Sequence, residues 1–206
     1  MEIEDWVLKQ RLGHTGDTRG HRHAVVNPVV VDDSLDKPAH KGRKQFSLYR
    51  AIHIGGIYHQ VPGDTKEAVI RSTMKMLSKT LGLDADTVTD MLLDRESMMP
   101  TALNNGVGVP HTRDFLLKSH QDVVAVAFPE QPINYGALDG QPVHTLFFLF
   151  ASEDKSHLNL LAKVAHFSGQ ADTLQLLKQR PEKSQLLSQI KDWESALTDG
   201  LLSHSE

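Results

Sequence analysis

The sequence predicts an α/β domain in which helices cover a β-sheet. Amphipathic helical segments alternate along the chain with short apolar segments that are rich in valine and phenylalanine. Segment 143–151 is almost wholly apolar, which is typical of a strand covered on both faces. The length of 206 residues suits one main domain with an appendage. We therefore expect segment 143–151 at the centre of the sheet.

The remaining elements follow in order between residues 47 and 197. Thr65 and Ser156 each precede an apolar helical face and are predicted to be N-caps. Pro129 ends the valine-rich strand before it. The predicted strands are 57–61, 107–109, 122–128 and 143–151. The predicted helices are 47–54, one that Thr65 caps, 84–98, one that Ser156 caps, 170–179 and 182–197.

The first 45 residues form a leader that differs in pattern from the rest. Residues 1–12 place apolar side chains on one helical face, with acids early and bases late, which predicts a short helix. Residues 13–45 have no sustained period and are predicted to be a linker. The VVNPVVV stretch within it either packs on the domain or adds as an edge strand. The domain itself is expected at residues 46–206.

Composition excludes several classes of function. Asp and Glu number 26 against 22 Lys and Arg, so no overall basic field is available to bind nucleic acid or an anionic membrane. There is no cysteine, which excludes disulfide scaffolds and thiolate zinc sites. No apolar run reaches the length of a membrane span, and the acidic N-terminus is unlike a signal peptide. A cytoplasmic protein without a membrane span is expected.

His111 stands where a sheet protein can hold a ligand. It follows a predicted glycine-bearing strand and Pro110, and proline cannot continue the hydrogen-bond ladder. The side chain is therefore expected beyond the carboxyl edge of the strand, where α/β proteins tend to bind ligands. Imidazole is a nucleophile when neutral, and its ordinary pKa of about 6.5 leaves a neutral fraction near pH 7. On this pattern alone, a structural histidine is the better-supported interpretation.

Three separated motifs favour a functional role for His111 instead, because they occur in the same order as the motifs of a known family. They are LLDRESMMPTALNNGVGVPHTRD, INYGALDGQPVHTLFFLFAS and SHLNLLAKVAHF. Together they resemble the fructose/mannitol-type and nitrogen-regulatory IIA domains of the phosphotransferase system, over about residues 46–197. The resemblance implies a type 2 IIA domain, with a mixed β-sheet flanked by helices.

The same resemblance implies a chemistry for three residues. His111 matches the phosphorylated histidine, which receives the phosphoryl group from an HPr-like phosphocarrier protein. Arg95 matches a supporting position, where a guanidinium fork can neutralise phosphoryl oxygens, and lysine should not replace it. His157 matches the other, at a predicted helix start whose dipole favours an anion and a neutral imidazole.

The loop before His111 is predicted to hold phosphate oxygens. Thr101 and the amides of Asn104, Asn105 and Gly106 are the candidates, because asparagine tolerates the left-handed turns that such a loop needs. A tight connection without phosphate contacts is the alternative. Arg113 either contacts the phosphate or its donor, or is a solvated surface arginine.

The loop departs from the family pattern at Pro100, Ala102 and Asn104, where serine, glycine and glycine are usual. Ala102 would resist a positive φ, so a tighter and less adaptable loop is expected. Whether this impairs phosphorylation stays open. His21 and His23 form an H-x-H pair in the linker, where solvent exposure is expected, so neither a metal nor a cofactor is assigned.

Two functions share the His111 site. In one, the chain is a regulatory protein of the phosphotransferase system that signals to a target protein by its phosphorylation state. In the other, it is a sugar-transport IIA component that passes phosphate to a IIB permease domain. Regulation is favoured, because the chain has no fused transport domain or membrane segment. A metal-dependent hydrolase is not favoured, because no motif such as H-E-x-x-H is present.

The leader suggests one further relationship. EIEDWVLKQRL is similar to the closing helix of an excisionase-type or MerR-type helix-turn-helix domain. The recognition helix of such a domain is not in this chain, so specific DNA binding is not expected. The sequence leaves open whether the chain forms a homo-oligomer.

Overall fold

The computed structural model describes residues 47–114, 116–117 and 121–202. The helix predicted at 1–12, the linker predicted at 13–45 and the His21/His23 pair lie outside these residues. Among the described residues, no helix is long and apolar enough to cross a membrane.

The described chain contains six helices and four strands, which alternate much as the sequence predicts. The helices are α1 (Leu48–Gly55), α2 (Lys66–Leu81), α3 (Ala85–Met98), α4 (Asp154–Ser168), α5 (Ala171–Lys178) and α6 (Lys183–Leu202). The strands are β1 (Ile57–Val61), β2 (Val107–Gly108), β3 (Val123–Pro129) and β4 (Thr145–Phe150). The predicted α/β class is confirmed.

One predicted helix cap is confirmed and the other is wrong. The Thr65 side chain accepts a hydrogen bond from the Ala68 N–H at 3.2 Å and caps α2. The N-cap of α4 is Glu153, three residues before Ser156, and its side chain makes no capping bond. Ser156 lies inside the first turn, where its hydroxyl is 2.8 Å from Asp122 Oδ1. This carboxylate, on the loop before β3, gives the hydroxyl a partner that local sequence does not reveal.

The sheet is mixed, as the family resemblance implies, with strand order β1-β3-β4-β2. Strands β3 and β4 pair antiparallel, and the outer strands β1 and β2 pair parallel with β3 and β4. Every residue of both inner strands is buried. The prediction that segment 143–151 supplies a central strand is therefore confirmed.

The two faces of the sheet are covered by different helices. On one face, Val124 and Val126 belong to a core that includes side chains of α1, α4 and α6. On the other, Ala125 and Ala127 belong to a core with side chains of α2 and α3. Alternating residues of β3 thus serve the two cores, as the two-residue period of a strand requires. Gly55 lets α1 lie against β3, because a Cβ there would collide with the Val124 carbonyl.

Candidate functional site

His111 lies beside β4, directly after Pro110. The regular strand β2 ends at Gly108, so the predicted end of the ladder before Pro110 is confirmed. The chain then returns to the sheet, because the Pro110 carbonyl accepts the Leu149 N–H at 3.0 Å and His111 forms a parallel bridge with Leu149. Proline lacks a donor but keeps its acceptor, which is all that this contact needs. His111 thus lies past the end of β2 and beside β4, and it is 1% exposed.

The surroundings of His111 fix its charge and its tautomer. Its Nδ1 lies 2.7 Å from the Val109 carbonyl oxygen, which only accepts, so Nδ1 carries the proton and donates. Burial holds the pKa of His111 well below its usual value, and the nearby His157 and Arg95 lower it further. The ring is therefore neutral near pH 7, with the lone pair of its other nitrogen, Nε2, available for attack.

His157 is the second histidine of the site. It lies in the first turn of α4 and is 4% exposed, and its ring centroid is 5.2 Å from that of His111 at an interplanar angle of 64°. Burial lowers its pKa to about 4, with Arg113 as the next cause. Its Nδ1 is buried and has no hydrogen-bond partner among the described residues. A neutral imidazole with one uncommitted nitrogen thus faces His111.

Asp122 fixes the start of the helix that carries His157. Its Oδ1 accepts from the Ser152 N–H at 2.9 Å and lies 3.0 Å and 2.8 Å from the hydroxyls of Ser152 and Ser156. These contacts join the loop before β3 to the end of β4 and to the first turn of α4. Because His157 follows Ser156, its position depends on this junction.

Arg95 is the buried arginine of the site. It lies in the last turn of α3, is 7% exposed, and donates through Nη1 to the Met99 carbonyl at 3.2 Å. Its Nη2 is buried and has no hydrogen-bond partner within the described part of the chain. Burial lowers the pKa of Arg95 from its usual value, but a guanidinium remains charged in proteins. One fork of a buried guanidinium is thus left for a ligand.

The loop between Thr101 and Val109 is a tight hairpin. The Leu103 N–H donates to Val107 O at 2.7 Å, and the Val109 N–H donates to Thr101 O at 2.9 Å. Asn105 (φ 65°) and Gly106 (φ 79°) adopt left-handed backbone, which confirms that asparagine supplies such a turn.

Ala102 does not need the positive φ that it was expected to resist. The hairpin places its positive φ angles at Asn105 and Gly106, not at Pro100, Ala102 or Asn104, where the sequence departs from the family pattern. Ala102 instead bridges antiparallel to Gly108 and is buried. The alanine therefore fits the extended backbone that this position adopts.

Four loop residues are predicted to bind phosphate, and in two of them the hydrogen-bond donors already have protein partners. The Thr101 N–H and hydroxyl both donate to Glu96, and the Asn105 N–H donates to Asp139 Oδ2 at 2.7 Å. Asn104 and Asn105 are exposed at the tip, whereas Gly106 is buried. Phosphate binding by these four residues stays a prediction.

Two further charged residues, Arg113 and Glu96, lie near these side chains. Arg113 is partly buried, and its charge lowers the pKa of both His111 and His157, so it lies near the two rings. Glu96 was not among the predicted site residues, although it follows Arg95 in the same motif. It is 3% exposed and binds Thr101. The sequence signal that could have identified Glu96 is its position directly after Arg95, a predicted site residue on the same helix.

These residues suit one kind of chemistry. A neutral imidazole nucleophile, a guanidinium with one open fork and a second imidazole with an open nitrogen can receive a group that carries oxygen anions. Within residues 47–114, 116–117 and 121–202, no cluster of three His, Asp or Glu side chains could hold a metal ion.

The low pKa of His157 predicts a dependence of stability on pH. Its pKa is about 4 when folded and about 6.5 when unfolded, so the unfolded state binds more protons between these values. Stability is therefore full above pH 6.5 and falls as the pH drops to about 4, by up to about 3 kcal/mol from this residue. Urea unfolding across this range should show a loss that shrinks in His157→Gln. An equal loss in both proteins would contradict the assignment.

The family model of the phosphoenolpyruvate-dependent sugar phosphotransferase system, EIIA 2, matches residues 52–193. That range is more than half of the chain and contains α1 from Ile52 through most of α6. The chain therefore belongs to this family, as the three sequence motifs indicate. The domain start expected at residue 46 lies six residues before the matched range.

Similar proteins come from both branches of the family. The nitrogen regulatory protein of Pseudomonas aeruginosa is 32% identical over 135 residues, which is 64% of this chain and 86% of that protein. The fructose-specific EIIABC component of Bacillus subtilis is 29% identical over 103 residues, which is 48% of this chain and 16% of that protein.

Solved structures show the same fold. Nitrogen regulatory protein IIA-Ntr from Neisseria meningitidis superposes with a TM-score of 0.60 at 24% identity, covering 66% of this chain and 94% of that chain. Enzyme IIA-Mtl in its complex with phosphorylated enzyme IIB-Mtl from Escherichia coli has a TM-score of 0.55 at 17% identity, with 66% and 94% covered. The mixed sheet with its helices is thus the IIA fold.

Proposed function

We propose that this chain is a phosphohistidine protein of the phosphotransferase system, which takes a phosphoryl group from an HPr-like phosphocarrier onto His111. The observation that carries the proposal is the 2.7 Å contact between His111 Nδ1 and the Val109 carbonyl. It holds the neutral ring in the tautomer whose Nε2 is a nucleophile.

The proposed transfer is a displacement between two imidazoles. The lone pair of His111 Nε2 attacks phosphorus, the bond from phosphorus to the donor nitrogen breaks, and the donor ring leaves with that electron pair. The proton on His111 Nδ1 stays in place. As the ring gains positive charge, its hydrogen bond to Val109 O becomes charge-assisted and stronger. The protein thus prepares the charge that forms on His111.

Arg95 and His157 are proposed to hold the phosphoryl oxygens. The open Nη2 of Arg95 offers a charged donor, which counters the negative charge spread over these oxygens in a loose transition state. Neutral His157 can donate one hydrogen bond from Nδ1, the atom without a protein partner. Arg113 adds positive charge near both histidines.

The loop residues are proposed to shape the wall of this site. Thr101, Asn104, Asn105 and Gly106 span the hairpin that leads to Val109 and His111. Of these, Gly106 is the most constrained, because a Cβ at its position would lie 2.6 Å from the His144 ring. Asn104 and Asn105 at the exposed tip face an incoming partner.

A regulatory role is the function that the comparisons favour. The relative from P. aeruginosa, a nitrogen regulatory protein, is 32% identical over 135 residues, whereas the fructose-specific component is 29% identical over 103 residues. Phosphorylation adds up to about two negative charges beside the exposed loop, which can change binding to a target protein. We propose that this charge is the signal and that it operates in the cytoplasm. Passing phosphate to a IIB component is the second candidate, because sugar-specific components are also relatives.

Reconstitution tests the carrier function. The purified chain is incubated with phosphoenolpyruvate, the general phosphotransferase enzyme and its histidine carrier. We expect one acid-labile phosphate per chain, which requires both upstream proteins, and no labelling by ATP, because the sequence has no Walker loop. Absence of labelling by a demonstrably charged carrier, with the chain folded, would contradict the proposal.

Transfer of the phosphate to a IIB domain distinguishes the regulatory role from the sugar-transport role. The phosphorylated chain is mixed with purified IIB domains of the fructose and mannitol type. A regulatory protein should keep its phosphate over the time in which a matched sugar IIA control loses it. Discharge as fast as that control would support the transport alternative and contradict the regulatory role.

A further inference from the structure

We propose that Glu96 is a positioning residue for His111, and that Lys66 supplies the charge that lets this buried carboxylate do so. The proposal rests on the proposed function, since it concerns how the nucleophile is held. Glu96 does not touch His111. It acts through Thr101 and Val109, which lie between the two residues along a chain of hydrogen bonds.

The first link joins Glu96 to Thr101. The Thr101 N–H lies 3.0 Å from Oε1 and 3.2 Å from Oε2, and the Thr101 hydroxyl donates to Oε2 at 2.5 Å. Thr101 is fully buried and Glu96 is 3% exposed, so water does not compete for these bonds. The carboxylate therefore fixes both donors of the residue at which the hairpin begins.

The second link joins Thr101 to the nucleophile. The Thr101 carbonyl accepts the Val109 N–H at 2.9 Å, and the Val109 carbonyl accepts from His111 Nδ1 at 2.7 Å. Val109 is thus held at both ends, by Thr101 and by His111. A shift of Thr101 would move the carbonyl that decides the tautomer and the direction of the His111 ring. The effect of Glu96 on His111 passes through two peptide units.

Lys66 and Tyr135 explain how an anion is tolerated so close to a phosphate site. The Lys66 Nζ lies 3.6 Å from Glu96 Oε1 and 5.4 Å from the centroid of the Tyr135 ring, and the Tyr135 hydroxyl donates to Glu96 Oε2 at 3.3 Å. A buried carboxylate without a cation would be costly and would repel an incoming phosphoryl group. Lys66, on α2, offsets that charge.

A matched set of variants tests the chain of contacts. Thr101→Val removes the hydroxyl donor and keeps the shape, whereas Thr101→Ser keeps the donor. We expect Thr101→Val to slow phosphoryl acceptance by up to roughly 100-fold in kcat with little change in the KM for the carrier, and Thr101→Ser to restore most of the rate. Glu96→Gln should resemble Thr101→Val. Lys66→Met should lose roughly 10-fold, whereas Lys79→Met, an exposed lysine of the same helix, should lose nothing.

A second readout does not depend on phosphorylation. The ¹⁵N chemical shifts of the His111 ring report which nitrogen carries the proton. We expect the Nδ1–H tautomer in the wild type and Thr101→Ser, and a mixture of tautomers in folded Thr101→Val and Glu96→Gln. If Glu96→Gln does not fold, Thr101→Val and Lys66→Met still test the proposal. Wild-type rates and an unchanged tautomer in these variants would overturn the proposal, whereas a shifted tautomer without any wild-type labelling would overturn only the proposed function.

Discussion

The His111→Gln variant is expected to fold and to accept no phosphate from the charged carrier. Glutamine is close to histidine in length, and the bridge beside Leu149 is made by the backbone, so the fold is kept. It has no nucleophilic nitrogen, because the amide lone pair is delocalised. Transfer should therefore be lost completely rather than slowed. Intact mass after incubation with the full upstream system measures the result.

The matched control for this variant is His53→Gln. His53 lies on α1, its side chain is exposed, and it belongs to a groove between α1 and α6 rather than to the site. This variant should be labelled to the same extent and at the same rate as the wild type. Stoichiometric labelling of folded His111→Gln would show that another residue is the acceptor.

The Arg95→Lys variant is expected to be phosphorylated at a rate lower by about 100-fold to 1,000-fold. Lysine keeps the positive charge but carries it on a single ammonium group at the end of a flexible side chain. It cannot donate to Met99 O and reach phosphoryl oxygens at the same time, as we propose that Nη1 and Nη2 of Arg95 do. The fall should appear in kcat, because the contact to the transferring group forms most strongly in the transition state. Rapid-quench measurement of phosphate transfer at several carrier concentrations gives both constants.

Arg71→Lys is the control for Arg95→Lys. Arg71 lies on α2, and its ion pair with Asp86 at 3.5 Å is largely exposed, so its replacement tests the general loss of a guanidinium. It should transfer phosphate at the wild-type rate. If Arg95→Lys also did so, a fixed guanidinium fork would not be part of the mechanism.

The sequence predicts the elements of the fold well where the pattern is local. The apolar segment 143–151 marks the inner strand β4, and Thr65 marks the start of α2. The Ser156 prediction was wrong because the partner of that hydroxyl, Asp122, is 34 residues away. A side chain that can cap a helix is recognisable from the sequence, but the acceptor or donor that it meets is set by tertiary contacts.

The site shows a similar division. The motifs bring out Arg95, His111 and His157, and the structure places their side chains together. The motifs do not show that the Thr101 N–H and hydroxyl donate to Glu96, because these bonds depend on how α3 packs against the hairpin. They also do not show where the left-handed turn falls, since the register of the hairpin, rather than the glycine pattern, places it at Asn105 and Gly106.

The most direct test of the central claim is the position of the phosphate in the wild-type chain. The protein is labelled through the charged carrier, the phosphopeptide is mapped at alkaline pH, and long-range ¹H–¹⁵N NMR of the intact protein identifies the modified nitrogen. We expect one phosphate, on Nε2 of His111, with the Nδ1 proton still bonded to the Val109 carbonyl. Phosphate on His157, on another histidine or on Nδ1 of His111 would contradict it.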